Sequence, residues 1–222
     1  MVSLNPGYHD HLRTAADALA ERLEHPHDAR LLDLGCGSGA STAALVAAFG
    51  RKVDVVGVDA SAGMLAAAEA KSWPAGVRFV QGRAEEIGRS EPWPIDQPLD
   101  GVLAAYLFRN VPEAERDAVL SAVRDRLRPG GALVVEEYSV AGSRLAQLLW
   151  TIVCWLVVIP LGLVLTRHTR LYRYLWRSVL RFDPVERFTA RLRAAGFVEV
   201  RARTVGGWQR GILHVISART PA

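Results

Sequence analysis

Asp33-Leu34-Gly35-Cys36-Gly37-Ser38-Gly39 is the stretch that decides how this chain folds. An apolar run, Arg30–Leu34, leads into it, and Gly39–Phe49, with small residues at helical spacing, follows. Glycines between a strand and a helix permit a tight turn and let backbone approach a ligand at a helix N-terminus. With Ala40 the segment fits the G-x-G-x-x-G/A fingerprint of nucleotide-binding folds. Beyond the loop, strands are expected at Val53–Asp59, Val77–Gln81, Leu99–Ala104 and Ala132–Tyr138, and helices at Ala62–Lys71 and Glu113–Leu127. Such alternation predicts an α/β, Rossmann-like fold: a parallel sheet with helices on both faces and a ligand at the carboxyl ends of its strands. Gly88–Pro98, with three prolines, reads as a loop.

The length, 222 residues, suits a single domain, and 50% hydrophobic content supplies a sizeable core. Its expected parts are a helical segment over 1–29, a cofactor-binding core over 30–140, an apolar and basic cap over 141–183, and a helix with two strands over 184–222. The helix is Pro184–Ala195, and the strands Phe197–Val205 and Gly211–Arg219 flank Gly206-Gly207. Cys36 and Cys154, the only cysteines, make no disulfide framework and no zinc pattern, so no metal is expected and a reducing compartment is the simpler reading. Met1–Arg30 has no apolar run of the secretory type. Charge is uneven. Residues 1–143 hold 14 basic and 20 acidic side chains, and residues 144–222 hold 13 and 3. A basic C-terminal part suits nucleic acid, anionic lipid, an anionic substrate, or a solvated arginine face.

Asp59 ends the second strand and can accept two hydrogen bonds from a ribose diol, which both NAD and S-adenosylmethionine (SAM) present. Asp33 suits the cationic methionine end of SAM better than a pyrophosphate; the competing role is a helix-cap carboxylate. Val80-Gln81-Gly82-Arg83-Ala84-Glu85 stands where an adenine edge can be read, and no Tyr-x-x-x-Lys pair supports NAD.

The first 140 residues resemble class I SAM-dependent methyltransferases, through the glycine loop, Val58-Asp59-Ala60-Ser61-Ala62-Gly63-Met64-Leu65 and Leu127-Arg128-Pro129-Gly130-Gly131-Ala132-Leu133. The resemblance implies a seven-stranded sheet with an antiparallel last strand. It implies SAM as cofactor, with Asp59 on the ribose, Ala60 and Met64 flanking the adenine, and Gly35 and Gly37 at the methionine end. The cofactor set is Asp33, Gly35, Cys36, Gly37, Asp59, Ala60, Met64, Arg83, Ala84 and Ala104. Arg83 is a departure: the family often has an Asp there, and Arg cannot accept a bond from the adenine amino group.

Tyr106-Leu107-Phe108-Arg109-Asn110-Val111, Glu136-Glu137-Tyr138-Ser139, Ile159-Pro160-Leu161-Gly162, Leu171–Val179 and Gly211-Ile212-Leu213-His214 are together similar to the ubiquinone/menaquinone biosynthesis C-methyltransferase family. The family's glycine before Leu-Arg-Asn is absent, and Tyr8-His9-Asp10 matches its N-terminal pattern poorly. The resemblance implies methylation of a lipophilic isoprenoid quinol of the demethylmenaquinol type. Such chemistry needs a dry pocket and a group that ionises a phenol or stabilises phenolate. Arg109 is the expected phenolate stabiliser, with an ion pair to Glu113 or Glu136 as its structural alternative. Tyr106, His168, Tyr172 and His214 are the candidate bases or relays.

Leu148–Leu165 is 18 residues long, with Thr151 its clear polar member, and Arg167, His168, Arg170 and Arg173 follow. It reads as a spanning helix, a membrane-dipping helix whose arginines meet headgroups, or a substrate cap; a cap with peripheral membrane contact fits best. The expected place is the cytoplasm, at the inner face of the cell membrane. A homodimer is a further expected association. Nucleic acid is not an expected partner, since no Asn/Asp-Pro-Pro-Tyr/Phe motif follows the fourth strand. Two alternatives stay open: O- or C-methylation of another lipophilic phenol, and a non-catalytic membrane-associated partner with a SAM fold.

Overall fold

Seven strands form one sheet in the order β3-β2-β1-β4-β5-β7-β6. The computed structural model describes residues 7–87, 95, 97–166 and 169–222. The strands are β1 (Arg30–Leu34), β2 (Asp54–Asp59), β3 (Val77–Gln81), β4 (Leu99–Ala105), β5 (Leu127–Tyr138), β6 (Val198–Thr204) and β7 (Leu213–Arg219). β1 to β5 are parallel, while β7 runs antiparallel to both neighbours. The helices are α1 (Tyr8–Ala20), α2 (Ala40–Phe49), α3 (Ala62–Glu69), α4 (Glu113–Arg126), α5 (Arg144–Val153), α6 (Ile159–Thr166), α7 (Arg170–Arg181) and α8 (Val185–Ala194).

Covering both faces explains the unbroken apolar runs of the inner strands. Leu31, Val55, Leu103 and Val134 pack with Leu12, Leu19 and Leu45 of α1 and α2 on one face. Leu32, Val56, Val102 and Val135 pack with Leu120, Val123 and Phe188 of α4 and α8 on the other. The expected loop over 88–98 falls mostly outside the described residues.

Three boundaries differ from expectation. β5 begins at Leu127, not Ala132, so Arg128-Pro129-Gly130-Gly131 lies inside the strand. Leu127 pairs with Leu99 across an irregularity before Gly101, and the chain's end straps the segment: Thr220 Oγ1 donates to the Arg128 carbonyl at 2.6 Å. This turn sits at the amino end of β5, remote from the ligand edge, so it serves the fold. β7 begins at Leu213, because a 3-10 turn, Gly207–Gln209, occupies the connection. The apolar segment is two helices joined through a π-helical turn, Cys154–Val158. Pro160 lacks an N–H and crowds the carbonyl of Leu156 four residues earlier, which accounts for the widened turn.

Candidate active site

The glycine loop crosses the carboxyl ends of β1 and β2. Gly35, Gly37 and Gly39 all have positive φ, at 81°, 54° and 83°. A Cβ on Gly39 would meet Trp73 at 2.8 Å and one on Gly35 would meet Leu107 at 3.0 Å, so larger residues are barred by contact as well as by conformation. Asp59 ties the loop to β2: its carboxylate accepts the Gly37 and Ser61 N–H groups, both at 2.8 Å. Each oxygen keeps acceptor capacity. Beside it opens a cavity of about 200 Å3, lined by Gly35, Asp59, Ala60, Arg83, Ala84, Glu85, Leu107, Asn110 and Val111 among others.

The predicted cofactor residues divide by this geometry. Gly35, Asp59, Ala60, Arg83 and Ala84 line the cavity. Met64 lies across the loop mouth, its Cε 3.2 Å from where a Gly37 Cβ would be. Cys36 is buried, and burial pushes its thiol well above the ordinary range. Ala104 is fully buried among the apolar side chains of the sheet's α4 face. Arg83 is mostly exposed and pairs with Glu85 at 3.3 Å. Glu85 brings a carboxylate to the cavity wall, the hydrogen-bond acceptor that Arg83 is not; sequence reasoning missed it because its motif position is taken by Arg83.

Asp33 takes the helix-cap role with one oxygen and keeps the other free. One oxygen accepts the Ser41 and Thr42 hydroxyls, at 2.8 and 2.5 Å, in the first turn of α2. The other is buried without a hydrogen-bond partner. Burial raises its pKa to about 6 despite those hydroxyls. A buried orphan acceptor beside the glycine loop is what a cationic ligand end would satisfy. The residues present therefore fit SAM: Asp59 for the ribose diol, the loop backbone and Asp33 for the methionine end, Ala60, Ala84 and Glu85 for the adenine.

Next to Asp33 stands an aromatic stack. Tyr8 stacks on Tyr106 with centroids 5.6 Å apart, Tyr106 on Tyr138 at 5.3 Å, and Tyr138 packs on Trp150 at 5.2 Å. Tyr106 leaves β4 with φ at 56°, a strained value for a bulky residue, and its N–H donates to the Glu136 carbonyl at 2.7 Å. Arg109 lies over the Tyr106 ring at 5.5 Å. Its ion-pair partner is Glu137, at 2.6 Å and almost fully buried, rather than Glu113 or Glu136. Glu137 also accepts the N–H groups of Arg109 and Tyr138. Arg116 Nε donates to the carbonyls of Phe108 and Val111, and its guanidinium pairs with Asp183 at 3.1 Å, fixing the 108–111 segment between cavity and cap.

The structure brings Tyr106 and Arg109 together but not Tyr172 or His214. Tyr172 is buried on α7, its ring packed against Gly162. His214 lies opposite Glu137 in the β5–β7 register, on the sheet face away from the Tyr106 stack. Burial lowers its pKa. His168 lies outside the described residues. Tyr8, Glu136 and Glu137 were named in the sequence without a place in the site; the register of β5 against β4 and the packing of α1 bring them beside Tyr106.

The family model of the ubiE/COQ5 methyltransferase family matches residues 4–215. The chain belongs to the ubiE/COQ5 methyltransferase family. A protein of Stutzerimonas stutzeri (strain A1501) named ubiquinone/menaquinone biosynthesis C-methyltransferase UbiE is 32% identical over 185 residues, covering 82% of this chain and 70% of that protein. One of the same name from Geobacter sulfurreducens is 33% identical over 175 residues, covering 78% and 66%. This chain thus spans about two thirds of such relatives' length. Among solved structures, human N-acetylserotonin methyltransferase in complex with SAM has a TM-score of 0.62 at 16% identity, over 93% of this chain and 52% of that one. The magnesium protoporphyrin IX methyltransferase of Synechocystis PCC 6803 with bound SAH has a TM-score of 0.63 at 14% identity, over 96% and 84%. These two likenesses establish the fold. As a member of the ubiE/COQ5 family the chain is a SAM-dependent methyltransferase, and the cavity at Asp59 is where its residues suit that cofactor.

Proposed function

We propose that this ubiE/COQ5 family member methylates a ring carbon of a lipophilic isoprenoid quinol, of the demethylmenaquinol type, at a membrane surface. The observation that carries the reading is the continuity of the aromatic site with an exposed apolar surface. Trp150, the end of the Tyr8–Tyr106–Tyr138 stack, belongs to a helix running Arg144–Val164, long and apolar enough to cross a membrane and only 22% buried in its most apolar window. Leu156 and Val164 are 73% and 76% exposed. A continuous apolar surface of this kind suits a lipid or a hydrocarbon tail. The relatives' printed names, which concern ubiquinone/menaquinone biosynthesis, agree with such an acceptor.

Bound SAM supplies an electrophilic methyl group on a sulfonium. Arg109, held in place by Glu137, offers a fixed positive charge to an ionised ring oxygen. The stacked tyrosines and Trp150 form an apolar wall that keeps water from the reacting carbon. Between α7 and the 109–116 segment, a cleft of about 730 Å3 is lined by Arg109, Arg116, Arg170, Arg173, Arg177 and Arg181. No acidic side chain among the described residues pairs with the last four. An apolar helix beside a row of unpaired arginines suits an anionic bilayer surface.

The test is incubation of the protein with labelled SAM and a short-chain demethylmenaquinol, followed by mass spectrometry of the product. Label on a ring carbon is expected. Label on oxygen, or no transfer to the quinol beside transfer to a simple lipophilic phenol, overturns the reading.

A further inference from the structure

Glu136 is fully buried; its carboxyl oxygens make no hydrogen bond of good geometry, and the Tyr106 hydroxyl is the polar side chain set against them. Asp33 Oδ1 is likewise buried and unpartnered. Two buried carboxyls short of hydrogen-bond donors in one neighbourhood are rare in a folded protein and call for a ligand or bound water. Register brings them together. Asp33 lies opposite Leu103, Ala105 opposite Glu136, and Asp33, Ala105 and Glu136 share the sheet face that α1 and α2 cover. β4 lies between the two carboxyls, presenting Leu103 and Ala105 on that face. Tyr8 of α1 lies over both: its phenol is raised first by burial, then by the charges of Glu136 and Asp33.

We propose that Glu136 is a second carboxylate of the pocket that receives the cationic methionine end of SAM, and that cofactor binding is linked to release of a proton from the Asp33–Glu136 pair. Asp33 alone is half committed to the α2 hydroxyls. Glu137, the adjacent carboxylate, is neutralised by Arg109 on the other face. Glu136 has neither engagement. Without a cation it is held partly protonated: burial raises its pKa to about 7, the charge of Glu137 adds to this, and Tyr106 opposes it. The other titratable groups around it are Tyr8 from α1, Asp33 from β1, Tyr106 and Arg109 after β4, and Tyr138 on β5. An arriving ammonium or sulfonium favours both ionised carboxylates, so each proton still held is released to solvent. With Asp33 near 6 and Glu136 near 7, the pair holds on the order of one proton at pH 6.5.

The test is calorimetry of SAM binding to the full chain at pH 6.5 and 8.5, in buffers of different ionisation enthalpy, which counts protons without any methyl transfer. The wild type is expected to release about one proton at pH 6.5 and close to none at pH 8.5. E136Q should release only about a quarter of a proton at pH 6.5, from Asp33, and bind SAM roughly tenfold more weakly at pH 8.5. E136D keeps the charge and should keep most of the proton release, which separates loss of the carboxylate from damage to folding. Methylthioadenosine, which lacks the amino-acid end and its cations, should release no proton. Equal proton counts for wild type and E136Q, or full release with methylthioadenosine, overturns the proposal.

Discussion

Replacing Glu136 with leucine should make the cofactor-free protein more stable, and only above a particular pH. The carboxyl is buried, and burial outweighs the Tyr106 hydroxyl beside it, so its pKa in the fold is about 7 against an ordinary 4.5. Below pH 4.5 the folded and unfolded chains both carry the proton, and the group is neutral in each. As pH rises from 4.5 to 7 the unfolded chain ionises freely while the folded one resists, so the cost to folding grows. Above pH 7 the cost is complete. At about 1.4 kcal/mol for each pKa unit it is on the order of 3 kcal/mol. For a domain of this size that corresponds to roughly 6–12 °C in Tm. Urea unfolding of wild type and Glu136→Leu at pH 5, 6, 7 and 8 reads the difference directly. The expected gap widens by about 2.5 kcal/mol across that range, in favour of the variant. A gap independent of pH, or one that shrinks as pH rises, refutes the reasoning, because the carboxyl would then be no harder to ionise in the fold than outside it. The same variant should bind SAM less well, the familiar exchange of stability against a strained functional site.

Other predictions rest on different contacts. Asp183→Ala leaves the buried Arg116 without its ion-pair partner and should cost about 3–5 kcal/mol in chemical unfolding, since an uncompensated buried charge is left behind. Asp59→Ala removes the acceptor of the Gly37 and Ser61 N–H groups and the carboxylate that suits a ribose diol, so SAM affinity should fall by roughly 100-fold in calorimetry, at about 1.5–3 kcal/mol per hydrogen bond to a charged group. Arg173→Glu with Arg177→Glu should abolish flotation with anionic vesicles at low salt while leaving SAM affinity unchanged; flotation equal to wild type, or a wild type that pairs into dimers and ignores vesicles, sinks the bilayer reading of the cleft. Gly39→Val should remove SAM binding outright, because a side chain there meets Trp73 in a left-handed backbone position.

Most of the sheet and half of the site were legible in the residues. Glycines at 35, 37 and 39 and carboxylates at 33 and 59 carry local information: each acts within a few residues of its own strand end, so spacing places it correctly. Arg109 and Tyr106 were singled out through motif, and the fold does bring them together. Boundaries failed where a distant segment decides them. β5 gained its first residues because Leu127 finds Leu99 and the chain's last residues clamp its turn, neither of which a local pattern contains.

What the sequence determined alone is the alternation of strand and helix, the cofactor loop and the apolar character of the segment after β5, since periodicity and glycine conformation are properties of the local chain. What only the tertiary structure decided is pairing. The adjacent Glu136 and Glu137 look equivalent in the sequence, yet strand alternation sends Glu137 to Arg109 and Glu136 to the Tyr106 hydroxyl, on the face it shares with Asp33. Their environments differ because neighbours from β1, β4 and α1 differ, and a carboxyl's charge state is set by what surrounds it rather than by where it stands in the chain.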